Sequence, residues 1–201
     1  MINRGTLMVV SGPAGVGKGT VCKKFLKDNP EVKLSVSATT RSPRPGEKNG
    51  REYFFLSKEE FEEKIRTDNL LEYVTFVDNY YGTLKSAVEE KLAAGEDVLL
   101  EIEIEGAMNV KKKFPDSVLV FVVPPSFDEL IDRLIGRGTE SPEVVERRLN
   151  RAKEEFKCIE NYDYVLLNDD IKDAAQRLKT ILEAEKMKVY RNKMLIEEAQ
   201  K

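Results

Sequence analysis

Histidine is absent from this 201-residue chain, and only two cysteines occur, Cys22 and Cys158. The first absence removes every mechanism that needs an imidazole base, and every zinc site with a histidine ligand. Two cysteines so far apart make no disulfide framework. Charge of one sign is also missing: 33 Lys and Arg stand against 36 Asp and Glu, for a net charge of −3. That balance argues against a dedicated nucleic-acid binder and leaves room for a local basic site. No apolar run approaches the ~18 residues of a membrane span. The best, Val118 to Val123, stops at Pro124-Pro125. The apolar start, Thr6 to Val10, is too short for a signal-peptide core. With 41% hydrophobic and 34% charged residues, the chain is expected to be a soluble, cytoplasmic, globular protein of about one domain.

What is present has a clear order. Thr6-Leu7-Met8-Val9-Val10 reads as a strand, followed by a glycine-rich turn. Lys18 to Lys27 then carries Val21, Phe25 and Leu26 at helical spacing. Further strands are predicted at Val98 to Ile104, Val118 to Val123 and Tyr164 to Leu167. Helices are predicted around Ser86–Ala94, Phe127–Leu134 and Pro142–Phe156. This alternation predicts an α/β fold, a parallel sheet covered on both faces. From Ile171, the spacing of Ala174, Ala175, Leu178, Ile181 and Leu182 predicts a last amphipathic helix, with the pattern fading beyond Lys186. Two regions break the alternation. Residues 35–83 hold eight of the sixteen aromatics and the turn-rich Ser42-Pro43-Arg44-Pro45-Gly46, so a small inserted subdomain with its own strands is expected. Arg133 to Arg151 is dense in arginine around Gly136-Arg137-Gly138 and reads as a mobile flap.

Gly12-Pro13-Ala14-Gly15-Val16-Gly17-Lys18 fits G-x-x-x-x-G-K between a predicted strand and a predicted helix. Glycines let backbone N–H groups curl around an anion, the helix N-terminus adds its dipole, and Lys18 supplies a full charge. Gly19 stands where a hydroxyl residue usually follows the lysine, and the hydroxyl comes one position later at Thr20. Thr20 then holds either a phosphate oxygen or a metal-bound water. Arg41 and Arg44, on a proline-stiffened loop with Tyr53 and Tyr81 further on, suit a second phosphate site. Strand alternation places Glu101 and Glu103 on one face at a strand end, where α/β sheets bind ligands.

In this order, the phosphate loop, Ser37-Ala38-Thr39-Thr40-Arg41-Ser42-Pro43-Arg44-Pro45-Gly46-Glu47, Asn79-Tyr80-Tyr81-Gly82-Thr83, Gly136-Arg137-Gly138-Thr139 and Asn168-Asp169-Asp170 closely resemble guanylate kinases. The resemblance runs over roughly residues 4 to 185. It implies a three-layer P-loop kinase fold with a core (1–34, 87–130 and 157–201), a small mixed α/β GMP-binding insertion (35–86) and a helical lid (131–156). It also implies magnesium-dependent phosphoryl transfer between ATP and GMP, with dGMP as a further acceptor.

By the same resemblance, Gly12 to Thr20 with Arg133, Arg137 and Asn168 bind ATP. Arg41, Arg44, Tyr53 and Tyr81 hold the GMP phosphate. Ser37, Glu72, Thr83 and Glu103 hold guanine, with Gly82 and Glu101 beside them. Lys18, Arg41, Arg137 and Arg148 serve the transfer itself. The family usually shows Asp where Glu103 stands and Gln where Glu105 stands. Guanine presents donors at N1 and N2 and an acceptor at O6, and adenine presents the inverse edge. A carboxylate at Glu72 with hydroxyls at Ser37 and Thr83 therefore fits guanine and leaves groups unpaired against adenine. Guanylate-kinase-like modules that serve only protein interaction typically lose the phosphate loop, which is present here. A P-loop kinase with another acceptor lacks support from the Glu72 and Thr83 pocket.

Overall fold

The computed structural model describes residues 4–135 and 142–201. The chain opens with β1 (Leu7–Ser11), α1 (Lys18–Asp28) and a short β2 (Lys33–Leu34). A second group follows: β3 (Ala38–Thr39), β4 (Phe54–Phe55), α2 (Lys58–Arg66), β5 (Leu70–Phe76) and β6 (Asn79–Leu84). The chain then alternates through α3 (Lys85–Ala93), β7 (Val98–Glu101), α4 (Ile104–Lys113), β8 (Val118–Val123) and α5 (Phe127–Ile135). It closes with α6 (Pro142–Phe156), β9 (Tyr164–Leu167), α7 (Ile171–Lys186) and α8 (Lys193–Ala199).

The main sheet has the order β2-β7-β1-β8-β9, and every neighbouring pair is parallel. β1 is buried on both faces, and its alternation sorts the layers. Leu7 and Val9 pack with Val88 and Leu92 of α3 and Ala107 and Val110 of α4. Met8 and Val10 pack on the other face with Val21 and Phe25 of α1 and Leu178 of α7. Each of the larger side chains, Ala107 aside, contributes about 1.5–3 kcal/mol by leaving water. This is the parallel sheet covered on both faces that the alternation predicted. The chain order reverses beside β1, at the switch point where α/β sheets form their crevice.

The second sheet, β4-β3-β6-β5, lies within residues 38–84 and is mixed. β3 pairs parallel with β4, whereas β6 is antiparallel to both β3 and β5. Its own small core is Ala38, Phe61, Leu70 and Leu84. Phe61 comes from α2, which starts in a capping box: Ser57 Oγ accepts from the Glu60 N–H, and the Glu60 carboxylate accepts from the Ser57 N–H.

One expectation is corrected. The strand read as Val98 to Ile104 ends at Glu101, and Glu103 is instead the N-cap of α4. Ile104, Ala107 and Val110 are buried at a three-residue spacing, and this helical period overrides the strand-like Glu-Ile-Glu-Ile alternation. Past α7, where the pattern fades, a 3-10 turn (Val189–Arg191) and α8 follow, with Leu195 exposed. Among the described residues, no helix is long and apolar enough to cross a membrane.

Candidate active site

The crevice begins where β1 ends. Between Ser11 and Lys18 the backbone takes φ of 146° at Gly12, 91° at Gly15 and 90° at Gly17. A Cβ on Gly12 would sit 2.6 Å from the Val122 carbonyl of β8, so the loop lies tight against the sheet. α1 has Gly17 as N-cap, with no side-chain cap and no acidic residue in its first turn. The helix dipole and its leading N–H groups therefore meet no counter-charge from the helix itself, the condition for holding an anion. The Lys18 ammonium donates to the carbonyls of Gly12 (2.5 Å) and Pro13 (3.3 Å) and lies 3.7 Å from a Glu103 oxygen. Thr20 is exposed on the same turn.

On one side of the loop lies a cavity of about 510 Å³, lined by Gly15, Gly17, Thr20, Arg133, Asn168, Asp169, Asp170 and Ile171. Asn168 is buried, and its side-chain amide donates to the Val16 carbonyl at 2.7 Å. Arg133, on α5, donates to that same carbonyl (3.4 Å) and to the Asn168 carbonyl (3.1 Å). The cap of α7 is Asp170, which accepts from Lys172 and Asp173 N–H groups, so Asn168 is free of that duty.

On the other side, β5 and β6 bring Glu72 opposite Thr83. Thr83 is fully buried and Glu72 only 9% exposed, and the Thr83 hydroxyl donates to Glu72 Oε1 at 2.6 Å. Burial pushes the Glu72 carboxyl above its ordinary range, and the Thr83 hydrogen bond only partly offsets this. A cavity of about 450 Å³ joins Glu72 to Ser37, Tyr53, Tyr81, Gly82, Glu101 and Glu103. A Cβ on Gly82 would lie 2.6 Å from the Glu72 carbonyl, so the close pairing of these strands needs glycine. Although β7 ends two residues earlier than Glu103, both Glu101 and Glu103 still face this crevice. Glu101 is exposed as a residue, yet desolvation of its carboxyl raises its pKa, and Lys18 opposes the shift.

Arg41 lies over Tyr53, 5.4 Å from the ring centroid, and Tyr53 packs edge-on against Tyr81. Arg41 Nη2 also donates to both oxygens of Glu47 at 2.9 Å, which fixes the fork. Arg44 is exposed, and its backbone N–H donates to Glu47. Its side chain lines neither cavity. The glutamate that organises this loop is six residues from Arg41, across a segment that is neither helix nor strand, so no period singles it out.

The two halves meet in a third cavity of about 510 Å³, where Ala14 of the loop, Tyr81 of β6, Glu103 and Arg148 of α6 converge with Val74, Phe76, Arg151 and Glu155. Arg151 is an addition to the expected set. It donates to Glu155 at 2.7 Å and lies in the field of Glu103 and Glu105. Arg137, with Gly136, Gly138 and Thr139, lies outside the described residues. Among the described residues, no group of three or more acidic or cysteine side chains is assembled that would hold a metal by itself. Magnesium is commonly held by one or two carboxylates plus substrate phosphates and waters; Glu101 is the carboxylate nearest the first turn of α1, where Thr20 offers a hydroxyl.

The family model described as guanylate kinase matches residues 4–185. Guanylate kinase of Desulfitobacterium hafniense (strain Y51) is 55% identical over 189 residues, 94% of each chain. That of Clostridioides difficile (strain 630) is 52% identical over 195 residues, 97% of this chain and 95% of its own. A crystal structure of guanylate kinase from Anaplasma phagocytophilum superposes with a TM-score of 0.71 at 34% identity, covering 94% of this chain and 90% of that one. The chain belongs to the guanylate kinase family.

Proposed function

We propose that the chain transfers the γ-phosphoryl group of ATP to GMP, giving ADP and GDP, with ATP at the phosphate loop and GMP on the small sheet. The observation that carries the acceptor assignment is the buried Glu72 carboxylate locked by Thr83, in a cavity it shares with Glu103, whose carboxylate lies 3.7 Å from Lys18. An ionised carboxylate there accepts from guanine N1–H and N2–H, and Ser37 donates to O6. Arg41 with Tyr53 and Tyr81 takes the GMP phosphate. On this reading, residues 35–86 are the GMP-binding insertion, 131–156 the lid and the remainder the core.

Two phosphate-bearing nucleotides repel: like unit charges 4 Å apart cost about 4 kcal/mol at an effective dielectric of 20. Phosphoryl transfer asks the protein for alignment and charge stabilisation and for no covalent nucleophile. Lys18 leans on the migrating phosphoryl group, and Arg137 and Arg148 close over it and exclude water. Magnesium, when bound, would neutralise phosphate charge; Thr20 would hold it directly or through water, and Glu101 would orient its bound water. The test is an ADP-production assay with GMP, dGMP, AMP, CMP and UMP as acceptors, with and without magnesium. GMP strongly preferred, dGMP accepted and turnover lost without magnesium is the expected result. Equal rates with AMP would refute the guanine pocket.

A further inference from the structure

Gly106 stands on the first turn of α4 and is absent from every phosphate- and base-binding role assigned above. Its φ does not fall in the left-handed region, unlike Gly12, Gly15 and Gly17, so no backbone conformation demands glycine there. Space demands it. A Cβ at this position would meet Glu72 Oε2 at 3.2 Å, Ile102 Cδ1 at 3.3 Å and Glu72 Cγ at 3.4 Å. Ile102 is the far end of a flexible side chain and can yield. Glu72 cannot yield freely, because Thr83 holds its other oxygen at 2.6 Å and the side chain is buried. Gly106 also lines the cavity that holds Glu72, Ser37 and Tyr81.

We propose that Gly106 is a specificity-determining position: its missing side chain sets how far the Glu72 carboxylate stands back, and so the height at which the pocket reads a guanine edge. Adding one methyl group pushes that carboxylate forward by a few tenths of an ångström, into the space of the base. The inference rests on the acceptor assignment proposed above. It predicts a loss of acceptor affinity with no loss of fold, since alanine is a better helix former than glycine.

The experiment compares wild type, Gly106→Ala, Glu72→Asp and the double variant by thermal melting, by steady-state kinetics and by calorimetric titration with GMP alone. Gly106→Ala should keep or raise the Tm, weaken GMP binding and raise its KM roughly 10-fold, about the worth of one charge-assisted hydrogen bond, and leave the ATP KM unchanged. Glu72→Asp shortens the acid, so the alanine should cost much less GMP affinity in that background than in the wild type. A melting temperature held with unchanged GMP binding and KM would overturn the inference while leaving the acceptor assignment standing. So would equal losses for ATP and GMP, or an alanine penalty that is the same with Glu72 and with Asp at that position. Failure of the acceptor assignment itself would appear separately, as wild-type enzyme that does not prefer GMP over AMP.

Discussion

Asn168 hydrogen-bonds through its side-chain amide to the Val16 carbonyl at 2.7 Å, so the turn after β9 is fastened to the phosphate loop that follows β1. The two residues are far apart in sequence and sit on loops at the same end of the parallel sheet. A loop that must present its N–H groups at fixed positions gains from such a fastening, because the order is paid for in the fold and not on binding. Arg133 reaches the same carbonyl from α5, so two side chains from different elements converge on one peptide group.

Asn168→Ala should therefore cost stability as well as ATP affinity. The Val16 carbonyl keeps only the longer bond from Arg133, and a buried acceptor left short of partners costs about 1–3 kcal/mol. We expect a lowered Tm and a raised KM for ATP, with the KM for GMP nearly unchanged. Kinetics with each substrate varied in turn check this split.

Gly17→Ala tests the same contact from the other side. A Cβ there would come within 2.4 Å of Asn168 Nδ2, at a φ of 90° that L-residues rarely adopt. The substitution should damage ATP binding more than Asn168→Ala does. The double variant should recover only part of the loss, since removing the amide relieves the collision but not the backbone strain. A fully additive cycle in melting and ATP KM would contradict the contact.

Lys18→Met probes charge migration. Its ammonium is held by the Gly12 and Pro13 carbonyls inside the loop. We expect a folded protein with an unchanged circular dichroism spectrum and a kcat reduced by orders of magnitude. The interaction strengthens as charge moves in the transition state, so kcat should fall more steeply than nucleotide affinity. Single-turnover rates against ATP binding measured by titration distinguish the two.

The main sheet was legible because β1 and β8 are short apolar runs between helical periods, and burial on both faces gives a parallel strand that plain signature; β9 is apolar too, although at the sheet edge Val165 and Leu167 are exposed. The phosphate loop was legible for a different reason, as its glycines answer a backbone need that few other residues meet. Glu101-Ile102-Glu103-Ile104 misled, since two periods of alternation fit a strand or the entry to a helix equally well. Only the buried Ile104, Ala107 and Val110 decide it. Glu72 and Thr83 looked like ordinary surface residues by pattern alone; the β5–β6 hairpin sets them opposite each other, and their burial depends on the packing of α4 from a distant part of the chain. Glu47 and Arg151 were invisible as site residues because their meaning lies in a contact, not in a spacing.

Glu72→Gln joins specificity to pH. A carboxyl whose folded pKa is raised contributes stability below its unfolded value and loses that contribution as pH rises through the folded value. Burial raises Glu72 in this way. At neutral pH the ionised, buried Glu72 is thus a burden on the fold, and Gln, which keeps an oxygen for the Thr83 hydroxyl, should melt at the same temperature or higher. Near pH 4, where wild-type Glu72 is largely protonated, the difference should vanish. Catalysis should move the opposite way. Guanine N1–H and N2–H need an acceptor, so Gln should lower kcat/KM for GMP by roughly 10- to 150-fold, the worth of a charge-assisted bond of about 1.5–3 kcal/mol. The KM for ATP should stay near its wild-type value, and discrimination against AMP should weaken. In the wild type, GMP affinity should fall as pH drops through the raised Glu72 value, and the Gln variant should lack that limb of the profile. A Gln variant that melts lower at neutral pH and keeps wild-type GMP kinetics would mean that the carboxylate serves the fold and not the base.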